Sequence, residues 1–426
     1  MKKTKYLIIG AGISGLTFAY YAKDNYLIVE KENEIGGYCR TINKSGYIWD
    51  YAGHFYHFKT EEFKKMFLEN IKKDDIVVQE KCTNIIYKDG KVDYPFQMNI
   101  HQLEKQEFID CLYDLFNKEE KDKYDNFLDM LYGKFGKSIV EKFLKPYNEK
   151  LYAIDLKNLD TDAMGRFFPY ANKEQIINNM KESKNTSYNN NFMYPKNGAE
   201  AFIKVLYNNV DSSKILLNTQ IVSIDIDKKI ATTNTGEEIS YEYLINSSPL
   251  PNFLNNLNNK KYKELSSKLS YNKVLVFNLG FSKKSVFNKE HWIYIPEKKY
   301  NYYRIGFYDN ILNSDKLSMY IEIGYPKDAV ITKEEINKQL ELTLENLEKQ
   351  GIIDKDNKLV DYVSIVMDPA YVHIEKKTEK EIETTFKELE EKQIYSLGRY
   401  GKWTYCSMED CLVWAKELGD KIICQK

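Results

Sequence analysis

Tyr6-Leu7-Ile8-Ile9-Gly10-Ala11-Gly12-Ile13-Ser14-Gly15 is the stretch that decides the fold. Four apolar residues read as a buried strand, three glycines spaced G-x-G-x-x-G turn the chain, and Ile13 to Lys23 continues as a helix. The next apolar run, Tyr26-Leu27-Ile28-Val29, ends on Glu30, about twenty residues past Gly10, the spacing of a dinucleotide-binding βαβ unit. In such a unit Gly10 permits the tight turn, Gly12 lets a pyrophosphate approach the backbone, and Gly15 brings helix against strand. The helix N-terminus then faces the phosphates, and Glu30 accepts hydrogen bonds from ribose hydroxyls.

Around this unit the chain is long, at 426 residues, which implies two or three lobes. Its net charge of -1, from 62 basic and 63 acidic residues, supplies no long-range field for nucleic acid or an anionic membrane surface. No stretch of about 18 apolar residues occurs, so no membrane span is expected. The run Tyr6 to Ile9 is too short for a secretion signal. The 6 cysteines contain no C-x-x-C pair and read as reduced thiols of a cytoplasmic protein, with no metal site.

Apolar spacing of three and four in Phe63-Met66-Phe67-Ile71 and Phe108-Leu112-Leu115 predicts helices. Strand-like runs return at Ile221 to Ile226 and Tyr243 to Ile245, then alternate at Val274 to Leu279, Tyr302 to Phe307, Ser318 to Ile323 and Tyr362 to Val366. Thr332 and Glu335 form a capping box. A strand at Gln393 to Leu397 and a helix from Met408 to Ile422 close the chain. The expected class is α/β: a Rossmann-like cofactor domain from residues 1–58, 193–250 and 388–426, a mainly helical domain over 59–192, and an antiparallel-sheet domain over 251–387.

The segment Glu34-Ile35-Gly36-Gly37-Tyr38-Cys39-Arg40-Thr41 resembles the second glycine pair of the FAD-containing amine-oxidase and sugar-mutase superfamily, which implies a held FAD. Further segments resemble UDP-galactopyranose mutase, particularly its eukaryotic-type branch. They are Tyr51-Ala52-Gly53-His54-Phe55-Tyr56-His57, Val92-Asp93-Tyr94-Pro95-Phe96-Gln97, Pro146-Tyr147-Asn148-Glu149-Lys150-Leu151-Tyr152-Ala153, Tyr194-Pro195-Lys196-Asn197-Gly198, Tyr302-Tyr303-Arg304, and Ile394 to Trp403. The resemblance implies a reaction in which N5 of reduced FAD attacks the anomeric carbon of a nucleotide-linked galactopyranose and displaces the nucleoside diphosphate. The sugar then opens, recloses as a furanose and recaptures the diphosphate, a step toward cell-surface glycans. It also implies NAD(P)H or another reductant, and leaves room for a homodimer.

Composition adds an independent sign. Only four arginines occur, Arg40, Arg166, Arg304 and Arg399, in a lysine-rich chain, and planar bidentate phosphate recognition is where lysine does not serve. By resemblance Arg166 and Arg304 clamp the substrate diphosphate, Tyr371 and Tyr405 donate hydroxyls to it, and Phe96 and Asn148 contact substrate. Gly10, Gly12, Ser14, Gly15, Glu30, Lys31, Gly37, Arg40, Gly53, Arg399 and Met408 hold FAD, and His54 lies beside its N5. His101, His291 and His373 have no such context and read as structural.

Two departures stand out. Ser407 occupies the position where the prokaryotic branch has an acid, with Glu409-Asp410 further on, and Lys181 to Met193 lacks the Tyr-Trp pair on which bacterial enzymes stack uracil, leaving Phe192 or Tyr188 to stack. Base and sugar therefore stay open. The competing readings are an amine-oxidase or protoporphyrinogen-oxidase type oxidoreductase on the same FAD lobe, and a flavin-bound scaffold without chemistry.

Overall fold

The computed structural model describes residues 1–181 and 191–423. Tyr188 and Cys424, and most of the asparagine-rich segment between Lys181 and Met193, lie outside the described residues.

The opening strand Lys2–Ile9 pairs in parallel with Tyr26–Val29 on one side and Glu238–Asn246 on the other. This seven-stranded sheet runs Ile221–Asp225, Ile230–Thr233, Glu238–Asn246, Lys2–Ile9, Tyr26–Val29 and Ile215–Leu216, and Ile394–Ser396 pairs in parallel with Glu238–Asn246. Residues distant in the chain therefore complete a lobe begun by the first thirty. The helices Ile13–Ala22 and Met408–Ile423 pack together on it.

The second seven-stranded sheet runs Leu359–Met367, Asn272–Phe281, Ser318–Pro326, Arg304–Phe307, Trp292–Tyr294, Thr83–Tyr87 and Gly90–Asp93. It is not wholly antiparallel: Trp292–Tyr294 pairs in parallel with Thr83–Tyr87. Those last two strands come from the stretch read as mainly helical. Lys88-Asp89 is a two-residue hairpin turn, with Lys88 at φ 54° and Tyr87 paired to Gly90, and each strand is too short for its alternation to stand out in the string. Ile76–Glu80 likewise pairs with Asn191–Pro195.

Helices Lys105–Asn117, Phe127–Phe135, Lys145–Tyr152 and Lys173–Lys181 fill the rest of that stretch around their own core, which includes Phe96, Phe127, Phe143 and Leu151. A π-helical turn, Val140–Leu144, precedes Lys145–Tyr152. Wider turns of this kind shift the face that a helix presents, and Tyr147 and Leu151 of the following helix face the central cavity. Lys150 clamps that helix to the second sheet, its buried ammonium donating to Ile295 O at 2.8 Å, to Glu297 O at 3.0 Å and to Tyr302 O. Of the capping box, the Thr332 half is made: the Glu335 amide donates to Thr332 Oγ1 at 3.2 Å, while the Glu335 carboxylate accepts from Tyr325 and Gln339.

Asp50, fully buried, joins the lobes. Its carboxylate accepts from Thr41 Oγ1 at 2.6 Å, Tyr194 OH at 2.8 Å and the Ala199 amide at 3.1 Å, and its carbonyl accepts from Asn278 of the second sheet at 2.8 Å. Burial nevertheless pushes its carboxyl up to about 7 against those donors. A folded-state pKa above the unfolded one means that this group's contribution to stability is full at low pH and is lost as pH rises toward 7. Asp50→Asn has no proton to lose, so its stability relative to the parent should rise between about pH 4 and 7, by at most about 1.4 kcal/mol per unit, and level off above. Urea denaturation at several pH values checks this; a difference independent of pH would contradict it.

Candidate functional site

Two glycine loops meet at the C-terminal end of the first sheet. A Cβ on Gly15 would sit 2.0 Å from the Gly10 carbonyl oxygen, so helix Ile13–Ala22 can press onto the turn only through glycine. Gly12 occupies the N-cap without a side-chain cap, and no acid lies in the first turn, which leaves the first helical amides for an anionic ligand. The second loop lies across the first: the Gly36 amide donates to Ala11 O at 2.9 Å, and Gly37, at φ +58°, faces Gly12 backbone to backbone.

Arg40, 6% exposed, fixes the second loop by donating through Nε to Ile35 O at 2.8 Å and through Nη2 to Glu34 O. Glu30 accepts from the Ala11 amide at 2.8 Å and the Glu32 amide at 3.0 Å, which aligns the end of its strand with the glycine turn. From the C-terminal return, Gly398 packs so closely on Ser14 that a Cβ there would meet Ser14 Oγ at 2.2 Å, and Met408 Sδ lies 3.7 Å from Cys39 Sγ beside the second loop. Arg399 donates to Cys406 O, with its guanidinium 4.8 Å from the Tyr405 ring centre. Gly53 admits the Tyr320 hydroxyl, which a Cβ would meet at 2.4 Å. This cradle of backbone contacts fits a dinucleotide. Lys31, expected to hold the cofactor, is exposed and paired with Glu32 at 3.4 Å.

A cavity of about 910 Å³ opens between the helical layer and the second sheet, and Arg166, Arg304, Tyr371 and Tyr405 all line it. That volume suits a nucleotide-sized ligand. Arg304 starts its strand directly opposite Glu322, and its Nη2 donates to both Glu322 carboxylate oxygens at 2.7 Å and to Tyr371 OH at 3.2 Å. Tyr303 OH donates to Glu322 Oε2 at 2.5 Å, while Arg304 Nε is buried with no partner among the described residues. Tyr371 stacks on Tyr405 at 5.8 Å.

Arg166, in the turn Gly165–Phe167, makes a bidentate pair with Asp410 at 2.6 and 2.7 Å. Asp410 in turn accepts from the Ser407 amide at 2.7 Å and Oγ at 2.8 Å, and its own amide donates to Ser407 Oγ at 3.2 Å, a reciprocal cap at the head of Met408–Ile423. Ser407 is therefore the cap, and Asp410 is the acid that faces an arginine. Glu409 accepts from the Lys59 and Thr60 amides, each at 2.7 Å.

His54 lies close enough to Arg399 and Arg304 to feel both charges. Burial first, then Arg399, lower its pKa to about 4, against a hydrogen bond from Nδ1 to Ala52 O at 3.0 Å. The ring is neutral at pH 7. Nδ1 carries the proton that Ala52 accepts, and Nε2 keeps a lone pair.

Phe96 and Asn148, expected to contact substrate, are not among the residues that line the cavity. The turn Phe96–Met98 sends Phe96 inward to stack on Phe143 at 5.1 Å with no exposure, while Tyr94 and Pro95 before it face the cavity. Asn148 points one step round the helix from Tyr147 and bonds back to Leu144 O at 2.6 Å. Phe192, 1% exposed, is sealed between Phe55 and Trp292 and offers no stacking face. His291 accepts from the Cys82 amide at 3.0 Å, and His373 bonds Ser270 and Tyr152 O. Reading the string missed Lys81, Tyr94, Tyr147, Trp292 and Tyr294 as lining. The segments Val92 to Gln97 and Pro146 to Ala153 contain Tyr94 and Tyr147, and nothing marked the others.

Residues 8–69 match the family of NAD(P)-binding Rossmann-like domains. The chain is 25% identical over 292 residues to coproporphyrinogen III oxidase of Staphylococcus aureus, covering 58% of this chain and 61% of that protein; it thus spans less than two thirds of this curated relative. A crystal structure of reduced UDP-galactopyranose mutase superposes with a TM-score of 0.91 at 23% identity, over 100% of this chain and 95% of that one. A structure named as a protoporphyrinogen oxidase, from Exiguobacterium sp. 255-15, superposes with a TM-score of 0.77 at 17% identity, over 100% and 99%. The molecule is thus a Rossmann-like α/β protein with a dinucleotide-binding unit. Its fold is that of UDP-galactopyranose mutase.

Glu322 is 2% exposed and Asp410 18%, so the two arginines should behave differently when truncated. Arg304→Ala strands a buried carboxylate and is expected to cost about 3 kcal/mol or more of stability. Arg166→Ala, half exposed, should cost no more than about 1 kcal/mol. Equal losses in chemical denaturation would contradict this geometry.

Proposed function

We propose that the protein is a flavin-dependent nucleotide-sugar mutase that interconverts the pyranose and furanose forms of an NDP-hexose, UDP-galactose being the preferred substrate. The observation that carries this reading is the convergence of Arg166, Arg304, Tyr371 and Tyr405 on one cavity, with His54 within range of the Arg304 and Arg399 charges. Gly10, Gly12, Ser14, Gly15, Glu30, Gly37, Arg40, Gly53 and Met408 hold FAD. Reduced FAD, when bound, supplies a nucleophilic nitrogen for the anomeric carbon. Arg304 and Arg166 bind the diphosphate throughout and keep it in place after it leaves the sugar, with the Tyr371 and Tyr405 hydroxyls as further donors. Neutral His54 adds no charge beside the reacting carbon. Tyr94, Tyr147, Tyr294 and Trp292 form an aromatic wall that excludes water while the sugar is detached. NAD(P)H or a comparable donor keeps the cofactor reduced.

An FAD-dependent oxidoreductase is the second reading, favoured by the likeness to coproporphyrinogen III oxidase. In an amine oxidase a pair of arginines held for phosphate has no purpose, whereas the carboxylates of a porphyrinogen would also pair with arginine, so the substrate decides between the two readings. Purified protein with UDP-, GDP- and dTDP-hexoses, with and without dithionite, separates the two: conversion to the furanose only under reduction supports the mutase. No turnover on the panel, together with oxygen uptake on a porphyrinogen, would install the oxidase.

A further inference from the structure

Both cavity arginines are already matched by carboxylates, Arg304 by Glu322 and Arg166 by Asp410, each with N–O distances of 2.7 Å or less. In the free protein these pairs leave little positive charge for a ligand anion. The cavity lining also holds two lysines, Lys181, which is exposed, and Lys81, which is half-buried. Lys81, directly after strand Ile76–Glu80, lines the same cavity as the arginines, with its ammonium 5.5 Å from the centre of the Tyr94 ring.

Among the described residues no carboxylate lies within ion-pair distance of Lys81, and burial alone, with no opposing acid, lowers its pKa. Its charge in turn bears on His57, which is itself held to Asn191 O at 2.9 Å. Tyr94 packs at 4.8 Å on Tyr294, and the tyrosine pair lies within reach of the Arg304 charge. An ammonium kept on a partly dry wall without a counter-charge costs desolvation that a structural role would have offset with an acid. Buried lysines elsewhere in the molecule show the contrast: Lys118 has Glu120, and Lys150 has three carbonyls.

We infer that Lys81 is an anion-binding residue of this cavity, taking an anionic oxygen group of the ligand, either a diphosphate oxygen or a carboxylate on the sugar. The inference rests on the nucleotide-sugar reading for the kind of ligand, and not for the charge itself. It changes the balance at the site: the two arginines are paired, Lys181 lines the cavity from an exposed position, and Lys81 adds a half-buried positive charge to a wall that the arginines alone would present nearly neutral.

Calorimetric titration of the FAD-loaded protein with UDP, uridine, inorganic pyrophosphate and a UDP-hexuronate tests this in parent, Lys81→Met and Lys81→Arg. Lys81→Met should weaken UDP and pyrophosphate by about tenfold or more while leaving uridine unchanged, with Lys81→Arg within about threefold of the parent. A loss confined to the UDP-hexuronate assigns Lys81 to a sugar carboxylate and also supports the inference. Because Lys81 has no acid to abandon, the thermal midpoint of Lys81→Met should be unchanged or raised, and a lowered midpoint with unchanged affinities would make the residue structural. Parent protein that binds these anions no more tightly than Lys81→Met overturns the inference alone. Parent protein that binds neither pyrophosphate nor any nucleotide overturns the inference and the nucleotide-sugar reading together.

Discussion

Backbone meeting backbone at the glycine loops is the constraint on which the molecule depends. With only 2.0 Å between the Gly10 oxygen and a Cβ on Gly15, no side chain fits where helix meets turn, and Gly37, at φ +58°, lays the second loop against Gly12. The helix end is thereby left open toward a phosphate, and the second loop can lie across it with Arg40 bonded to its carbonyls. The C-terminal return then closes on the same point through Gly398 and Ser14. Because that return also carries Arg399, Tyr405 and Asp410, the contact that shapes the groove also sets one wall of the cavity.

The opposite wall is set by strand register. Arg304 and Glu322 are direct partners in adjacent antiparallel strands, and slipping the pairing by one residue would turn Arg304 away from the cavity. Two arginines of the same sequence type therefore have different physical characters. Arg304 is rigid, tied to a buried acid, a tyrosine hydroxyl and a strand. Arg166 sits on a short turn, half exposed, against an acid that belongs to a helix cap. On the proposed mutase reading, a clamp with one fixed and one exchangeable arm suits a leaving group that must be released and retaken.

The Rossmann-like lobe was legible because its glycines, its strand pattern and Glu30 are local features with fixed spacing. The far strands of the second sheet were legible by alternation, from Val274 to Leu279 and from Ser318 to Ile323. Thr83–Tyr87 was not, since a short strand that gains its neighbour through a parallel pairing with Trp292–Tyr294 leaves no mark on its own sequence. The four arginines stood out by rarity, and the structure brings Arg166 and Arg304 to one cavity. Phe96 and Asn148 shared motifs with true lining residues but face away, because a helix or a tight turn separates adjacent side chains by about 100°. The ion-pair partner Glu322 could not be read, because one acid among 63 looks like another until strand register places it, and Asp410 was noticed only as an acid near Ser407.

The central claim is that these side chains hold a nucleoside diphosphate while it is detached from its sugar. Positional isotope exchange measures that event directly, using UDP-galactopyranose labelled with ¹⁸O at the oxygen bridging the sugar and phosphorus. With the reduced protein the account predicts migration of the label to non-bridging positions at a rate no slower than net turnover, and no migration with the oxidised protein. Turnover without any exchange, or a label that stays in the bridge under reducing conditions, would contradict it.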